Sequence, residues 1–496
     1  MEKRKVVVIG AGPGGYVAAL RAAALGGDVT VIEKENLGGT CLNWGCIPSK
    51  IMKSSADLYL KFKEADEFGI KVDGSVLPDM TAIMARKKKI VEMQQKGIAS
   101  LLQHAKVKVE KGRGYIKGNG VVAVIDDQGS EKEILFDRLI IAVGTAPLNI
   151  PAFAFDGEYI LSSNHLLSLT KIPESIVIVG GGVIGCEFAC ILSALGSTVT
   201  VVEAMSRLLP LPSVDELCSA TLQREMKKRK IKIITDHVVQ KAEKQDGKLI
   251  LTLAISPFAD KSTAEKLAKS TNKIQTVETQ KMAVCIGRSP LSSDLGLENI
   301  DLKPNEKGWI EVNDKMETEV NGVYAIGDIL GPQRIMLAHV ASHEGMVAAQ
   351  NAMSKNCVDE NSTADKIDDS IMSYNAVPGA IFTMPEIGNV GLTEGGAKAK
   401  GLDVKCSVVN FRTLGKAHAI GEITGEAKIV ADSTTGRILG VHITGAHATD
   451  LIAEATVAVN KGLTLLDIAH TIHAHPTLAE IMSEAALKGA GMALHG

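Results

Sequence analysis

The chain has 496 residues, 45% hydrophobic and 22% charged, with 48 glycines, eight cysteines and a formal net charge of −3 at pH 7. That length suggests roughly three to four domains of ordinary globular composition. A near-neutral balance and only 3% aromatic residues exclude a basic nucleic-acid footprint and a stacking platform for single strands, and eight cysteines are too few for a disulfide framework.

The chain opens "MEKRKVVVIGAGPGGYVAAL", a basic stub and an apolar run that imitate a signal peptide. The clustered glycines and the lack of a small-residue cleavage site speak against one, and no other run has transmembrane length. A cytoplasmic protein without membrane contacts is expected. The run reads instead as a buried strand entering Gly10-x-Gly12-x-x-Gly15 and then a helix, with a second strand, "DVTVIE", ending at Glu33. This is the dinucleotide fingerprint. The first glycine makes the turn, the second admits a pyrophosphate, the third allows helix–strand contact, and Glu33 accepts from ribose hydroxyls.

"GGTCLNWGCIPSK", Gly38 to Lys50, follows and sets Cys41 and Cys46 five residues apart. Zinc ligands usually come as C-x2–4-C with a second Cys or His pair elsewhere, and no matching second pair is present, so no metal site is expected. So short a loop staples poorly. A reactive pair remains, beside the plain alternative of two buried cysteines that happen to be near. Reactivity needs a thiolate at neutral pH, which a helix N-terminus or a nearby cation favours. Lys87-Lys88-Lys89 reads as a solvated helix face.

The fingerprint then recurs. "SIVIVGGGVIGCEFACILSALGSTVTVVE" carries Gly180, Gly182 and Gly185 and ends at Glu203, every element displaced by 170 residues from its first occurrence. The chain therefore holds two dinucleotide units of one design, each offering a helix N-terminus to a pyrophosphate. Nicotinamide moves electrons only as hydride, thiols in pairs, and a flavin exchanges with both, so FAD at one site and a nicotinamide at the other are expected. Glu203 favours NAD, because a carboxylate repels the 2′-phosphate of NADP; Arg207, four residues on, is the one opposing signal. Cys186, Cys190, Cys218, Cys285, Cys357 and Cys406 sit singly and read as inert, buried thiols. Two polar stretches, Ser256 to Lys273 and Ser354 to Ser370, read as surface excursions. The second precedes a region of β-rich runs ("AKIVAD", "RILGVHITG") and helical ones ("ATDLIAEATVAVNKG") that predicts an α+β domain. Near the end, "HAHPTLAE" offers His473 and His475 as bases, while Thr477 to Glu480 has the form of a helix capping box.

With these motifs in place the chain resembles the flavoprotein disulfide reductases over nearly its whole length. The markers are "GGTCLNWGCIPSK", "IIAVGTAP", "GGGVIGCE", "CIGRSP", "NGVYAIGD", "MLAH" and "HAHPTLAE". The resemblance implies an α/β fold of two Rossmann-like dinucleotide-binding domains plus a C-terminal α+β dimerisation domain. The division would be 1–150 for FAD, 151–287 for NAD, 288–365 completing the FAD site, and 366–496 for the dimer interface. FAD would be lined by Gly10, Gly12, Gly15, Glu33, Gly114, Gly144, Asp328 and the segment Met336, Leu337, Ala338 and His339. Lys50 would lie near the flavin with Glu187 as its ionic partner. NAD would meet Gly180, Gly182, Gly185, Glu203, Val238 and Gly287. The same resemblance makes Cys41 the thiol that meets substrate, Cys46 the one beside the flavin, His475 the base and Glu480 its orienting carboxylate. It also implies a homodimer in which His475 serves the partner copy.

Within the family, Glu203 opposes the NADPH-dependent branch, the cysteine-free tail "ALKGAGMALHG" opposes branches with an extra redox pair, and the dithiol opposes transhydrogenases. Lipoamide is the substrate this leaves, carried on lipoyl domains of 2-oxoacid dehydrogenase or glycine cleavage complexes. Two departures stand out: Trp44 lies between the thiols where an aliphatic residue is usual, and Met384 replaces a common histidine.

Overall fold

The first β-branched run forms the middle of a five-stranded parallel sheet in a computed structural model that describes residues 3–270, 275–354 and 370–495. The strand order is Val323–Ala325, Arg138–Ile141, Lys5–Ile9, Asp28–Glu33 and Lys108–Lys111. Val6, Val7, Val8 and Ile9 are all buried, as expected of a parallel strand covered on both faces. A second five-stranded parallel sheet repeats the plan, in the order Lys232–Ile234, Thr198–Val202, Ser175–Val179, Lys281–Val284 and Ile160–Leu161. Lys5 pairs with Asp28 in the first sheet and Ser175 with Thr198 in the second, so the 170-residue repeat holds at the level of register.

The residues group into two units. One comprises Met1–Ile51, Ala82–Leu148 and Gly287–Tyr374; the other comprises Met52–Thr81, Asn149–Ile286 and Asn375–Gly496. The first holds the first parallel sheet, an antiparallel sheet of Arg113–Gly118, Val121–Ile125 and Glu131–Leu135, and a ribbon pairing Thr145–Pro147 with Arg288–Pro290. The second holds the second parallel sheet, the antiparallel strands His237–Gln245, Lys248–Ile255 and Gln275–Thr279, and the C-terminal sheet.

That last sheet is antiparallel, ordered Gly379–Ile381, Glu386–Gly391, Ile438–Gly445, Glu426–Asp432 and Val404–Asn410. Helices Ala448–Lys461 and Glu480–Gly489 supply Ile452, Ala455, Ile481 and Met482 to a core that includes Phe411, Ile429, Val441 and Ile443. The α+β expectation for this region is met.

Two expectations need correction, and a third gains detail. The polar stretch after Ser256 contains a helix, Lys261–Ser270, because Asp260 caps it: Oδ1 accepts from Thr263 N at 3.0 Å and Oδ2 from Thr263 Oγ1 at 2.6 Å. The cysteines are not uniformly buried. Cys186, Cys190 and Cys218 are, but Cys285 is half-buried and Cys406 exposed on an outer strand. In the lysine run Lys88 and Lys89 are solvated, whereas Lys87 is half-buried and burial lowers its pKa. Cys357, residues 271–273 and most of the second polar stretch lie outside the described residues. No helix among the described residues is long and apolar enough to cross a membrane.

Candidate active site

The two fingerprints divide their glycines between packing and ligand. Gly10 has φ +100° and Gly180 φ +103°, and a Cβ at either would run into a neighbouring strand end, at Ala142 and Cys285 respectively. Gly15 and Gly185 are closed off by the backbone of Gly10 and Gly180. Gly12 and Gly182 are different. A Cβ at Gly12 would approach only Gly39 Cα, at 3.9 Å, and at Gly182 it would meet nothing within 4 Å. They precede helices Pro13–Ala24 and Val183–Leu195, and neither helix has a side-chain cap. Each unit thus presents open glycine and uncapped N–H groups where a pyrophosphate needs them, so the residues fit FAD and NAD.

The acidic residues ending the second strands are buried and bonded alike. Glu33 accepts from Ala11 N and Glu35 N, both at 2.7 Å; Glu203 accepts from Gly181 N at 2.5 Å and Met205 N at 2.8 Å. Each oxygen keeps a lone pair for a ribose hydroxyl. Each carboxylate also fastens the glycine loop to the strand end. Arg207, the opposing signal for NADP, is spent on its own loop, donating to the carbonyls of Leu209, Leu211 and Val214 at 2.8, 3.3 and 3.2 Å.

Cys41 lies in a short helix, Gly39–Trp44, and Cys46 is the first residue of an 18-residue helix, Cys46–Lys63. Gly45, between them, has φ −150° and ψ −110°, which breaks the helix and turns the two thiols toward each other. They are hydrogen-bonded thiols here. That bond to Cys46, burial and the negative charge of Cys46 hold Cys41 far above the usual thiol range, while Lys50 opposes the rise. Cys46, the more exposed of the two, stands at the N-terminus of the longer helix. Lys50 is half-buried, with Nζ 3.4 Å from Ser49 Oγ. Trp44 is fixed by its indole N–H, which donates to Glu35 Oε2 at 3.3 Å.

Asp328 sits in the turn Gly327–Leu330. Its Oδ2 accepts from Thr145 Oγ1 at 3.1 Å and lies 3.7 Å from Arg288 Nε. Arg288 donates to Thr145 Oγ1 at 2.6 Å and Thr145 O at 2.7 Å. Burial lowers its pKa, countered by the charges of Asp328 and Cys46. A cation near the thiols thus comes from "CIGRSP", a motif visible in sequence whose arginine received no role. Gly144, φ +68°, is open to any approach, whereas Gly114 packs on the Ile9 side chain. Met336, Leu337, Ala338 and His339 enter helix Ala338–Ala352, again without a side-chain cap. Within that helix Glu344, almost fully buried, accepts from Gly327 N at 2.7 Å and Tyr374 Oη at 2.6 Å, bracing the Asp328 turn. Burial pushes its carboxyl up to about 7. Sequence gave no sign of Glu344.

Glu187 is buried and accepts from Phe382 N at 2.9 Å; Met384, nearby in sequence, is buried too. Val238 is half-buried in the strand His237–Gln245, and Gly287 has φ +142° with only Leu148 near its Cβ direction. His475 is exposed, and its Nδ1 is 2.8 Å from Glu480 Oε1. Glu480 Oε2 accepts from Thr477 N at 2.9 Å, so the capping contact and the contact to histidine coexist. Burial raises the Glu480 pKa, but hydrogen bonds from His475 and Thr477 bring it below the usual range. His473 is turned inward, with Nδ1 2.8 Å from Thr471 O and Nε2 3.0 Å from Glu454 Oε1. Both its nitrogens face acceptors; only His475 keeps an outward lone pair, at Nε2. No metal-binding cluster occurs among the described residues.

Residues 4–345 match the family described as pyridine nucleotide-disulphide oxidoreductase, and residues 377–486 match its dimerisation domain. The chain is 39% identical over 498 aligned positions to a dihydrolipoyl dehydrogenase of Bacillus subtilis, covering 99% of this chain and 98% of that protein. It is 38% identical to a dihydrolipoyl dehydrogenase of Chlamydia trachomatis, covering 99% and 97%. The crystal structure of LpdA from Mycobacterium tuberculosis superposes with a TM-score of 0.86 at 27% identity, over 98% of this chain and 99% of that one.

Proposed function

We infer the function from one premise: the chain belongs to the pyridine nucleotide-disulphide oxidoreductase family. It is an NAD-dependent oxidoreductase that converts dihydrolipoamide to lipoamide, and it works as a homodimer through its dimerisation domain. The observation that carries the reading is the Cys41–Cys46 pair at the mouth of an 18-residue helix. FAD, when bound, supplies the two-electron link between thiols and nicotinamide.

The roles follow from position. His475 removes a proton from one substrate thiol at Nε2, since Nδ1–H is committed to Glu480. The substrate thiolate attacks Cys41 Sγ of the oxidised pair; the Cys41–Cys46 bond breaks, a mixed disulfide forms, and Cys46 leaves as thiolate. The second substrate thiol then displaces Cys41 and passes its proton to the departing Cys41 thiolate, lipoamide is released, and His475 keeps the first proton until it is lost to solvent. A thiolate at Cys46 is favoured because it opens a helix and its charge interacts with Arg288. Gly10, Gly12, Gly15, Glu33, Asp328 and the 336–339 segment would hold FAD, and Gly180, Gly182, Gly185 and Glu203 would hold NAD. Val238, Gly114, Gly144 and Gly287 would line these sites, and Glu187 would balance Lys50.

Division into FAD (1–150), NAD (151–287), central (288–365) and interface (366–496) domains is part of the same proposal. So are a cytoplasmic location and lipoyl domains of 2-oxoacid dehydrogenase or glycine cleavage complexes as partners. NADH formation from NAD⁺ with dihydrolipoamide, against the same assay with reduced glutathione, tests the reading. Rapid turnover with the first alone is expected; preference for glutathione, or no turnover with either, contradicts it.

A further inference from the structure

We propose that His473 and Glu454 are positioning residues for His475, clamping its loop from the side opposite Glu480. The proposal rests on the reading of His475 as the base. Residues 471–476 have neither helix nor strand, and all but His473 are exposed, Ile472 to 97%. The His473 side chain is only 8% exposed. It reaches out of the loop to Glu454 on helix Ala448–Lys461, while its other nitrogen folds onto Thr471 O. At the loop's entry Thr471 Oγ1 donates to Asp467 O at 2.7 Å, and at its exit Leu478 is buried. Between those ends, His473 ties the loop to helix Ala448–Lys461, on the side away from the ties of His475 and Thr477 to Glu480.

His475 cannot hold itself. Its own ring is 76% exposed and, among the described residues, bonded only to Glu480. An unanchored backbone regains conformational freedom, which a base two residues from the anchor would share. Misplacement of a reacting group by about 1 Å can cost 10²-fold in rate. The charge of His473 also reaches Glu480 and helps keep that carboxyl ionised.

The test uses the FAD-loaded dimer in two assays. Dihydrolipoamide oxidation needs His475; NADH-to-ferricyanide turnover bypasses the thiol half-reaction. His473→Ala and Glu454→Ala should lower kcat for dihydrolipoamide about tenfold or more, with ferricyanide turnover and FAD content within about twofold of the parent. Glu454→Gln keeps an acceptor oxygen and should recover most of the lost rate. Dihydrolipoamide turnover within twofold of the parent in both alanine variants overturns the clamp, as does a parallel fall in both assays. His475→Ala separates the two readings. If it keeps full turnover, the base assignment fails; if it is inactive while both clamp variants are normal, only the clamp fails.

Discussion

A carboxylate that is 6% exposed and bonded by both oxygens to backbone N–H groups, as Glu203 is, cannot become a cation without loosening the loop it holds. Hydrogen bonds to a charged group contribute about 1.5–3 kcal/mol each. Glu203→Arg should therefore lower kcat/KM for NAD⁺ by about tenfold or more while adding little with NADP⁺, since the new side chain removes the tie to Gly181. Initial rates with both nucleotides decide it; a variant that uses NADP⁺ as well as the parent uses NAD⁺ would refute the structural half of the role. The residue type and spacing made Glu203, the cysteines and both histidines visible in the sequence. What stayed hidden was the partner of each. Arg288 meets Thr145 across 143 residues of chain, and local sequence carries no trace of that contact. The choice between His473 and His475 was likewise open until the inward turn of one ring and the outward turn of the other were seen.

At the scale of elements, helix Ala338–Ala352 joins two parts of the expected FAD site, its own N-terminus and the Gly327–Leu330 turn, through one buried carboxyl. Burial raises the Glu344 pKa from 4.5 to about 7, partly offset by the bonds from Tyr374 and Gly327. Between those values the folded state binds more protons than the unfolded one, so Glu344 costs stability as pH rises through the window, and fully above about 7. Glu344→Gln stays neutral throughout. Its Tm relative to the parent should be higher at pH 8 than at pH 5, by thermal unfolding of the holoenzyme; a difference that does not change with pH means Glu344 does not titrate there. Strands with continuous β-branched runs, such as Lys5–Ile9 and Ser175–Val179, were legible because both faces of a parallel sheet are buried. Helix Lys261–Ser270 was not: its polar composition masked the helical spacing of Ala264, Leu267 and Ala268 and the cap signal of Asp260 ahead of Thr263.

Over the whole molecule the 170-residue repeat carries through from glycines to strand register to the matched bonds of Glu33 and Glu203, which is why the architecture could be read from one chain. The dimer could not be, since no local pattern names the surface a partner covers. The family resemblance implies one that can be tested: if the thiols of one copy and His475 of the other complete each active site, a two-fold dimer has two such sites. Cys46→Ser and His475→Ala chains, each expected to be nearly inactive in dihydrolipoamide oxidation, can be co-expressed with different tags and isolated as the heterodimer. One of its two sites then holds both intact groups, and the heterodimer should show about half the parental activity. A heterodimer as inactive as either homodimer would contradict the account.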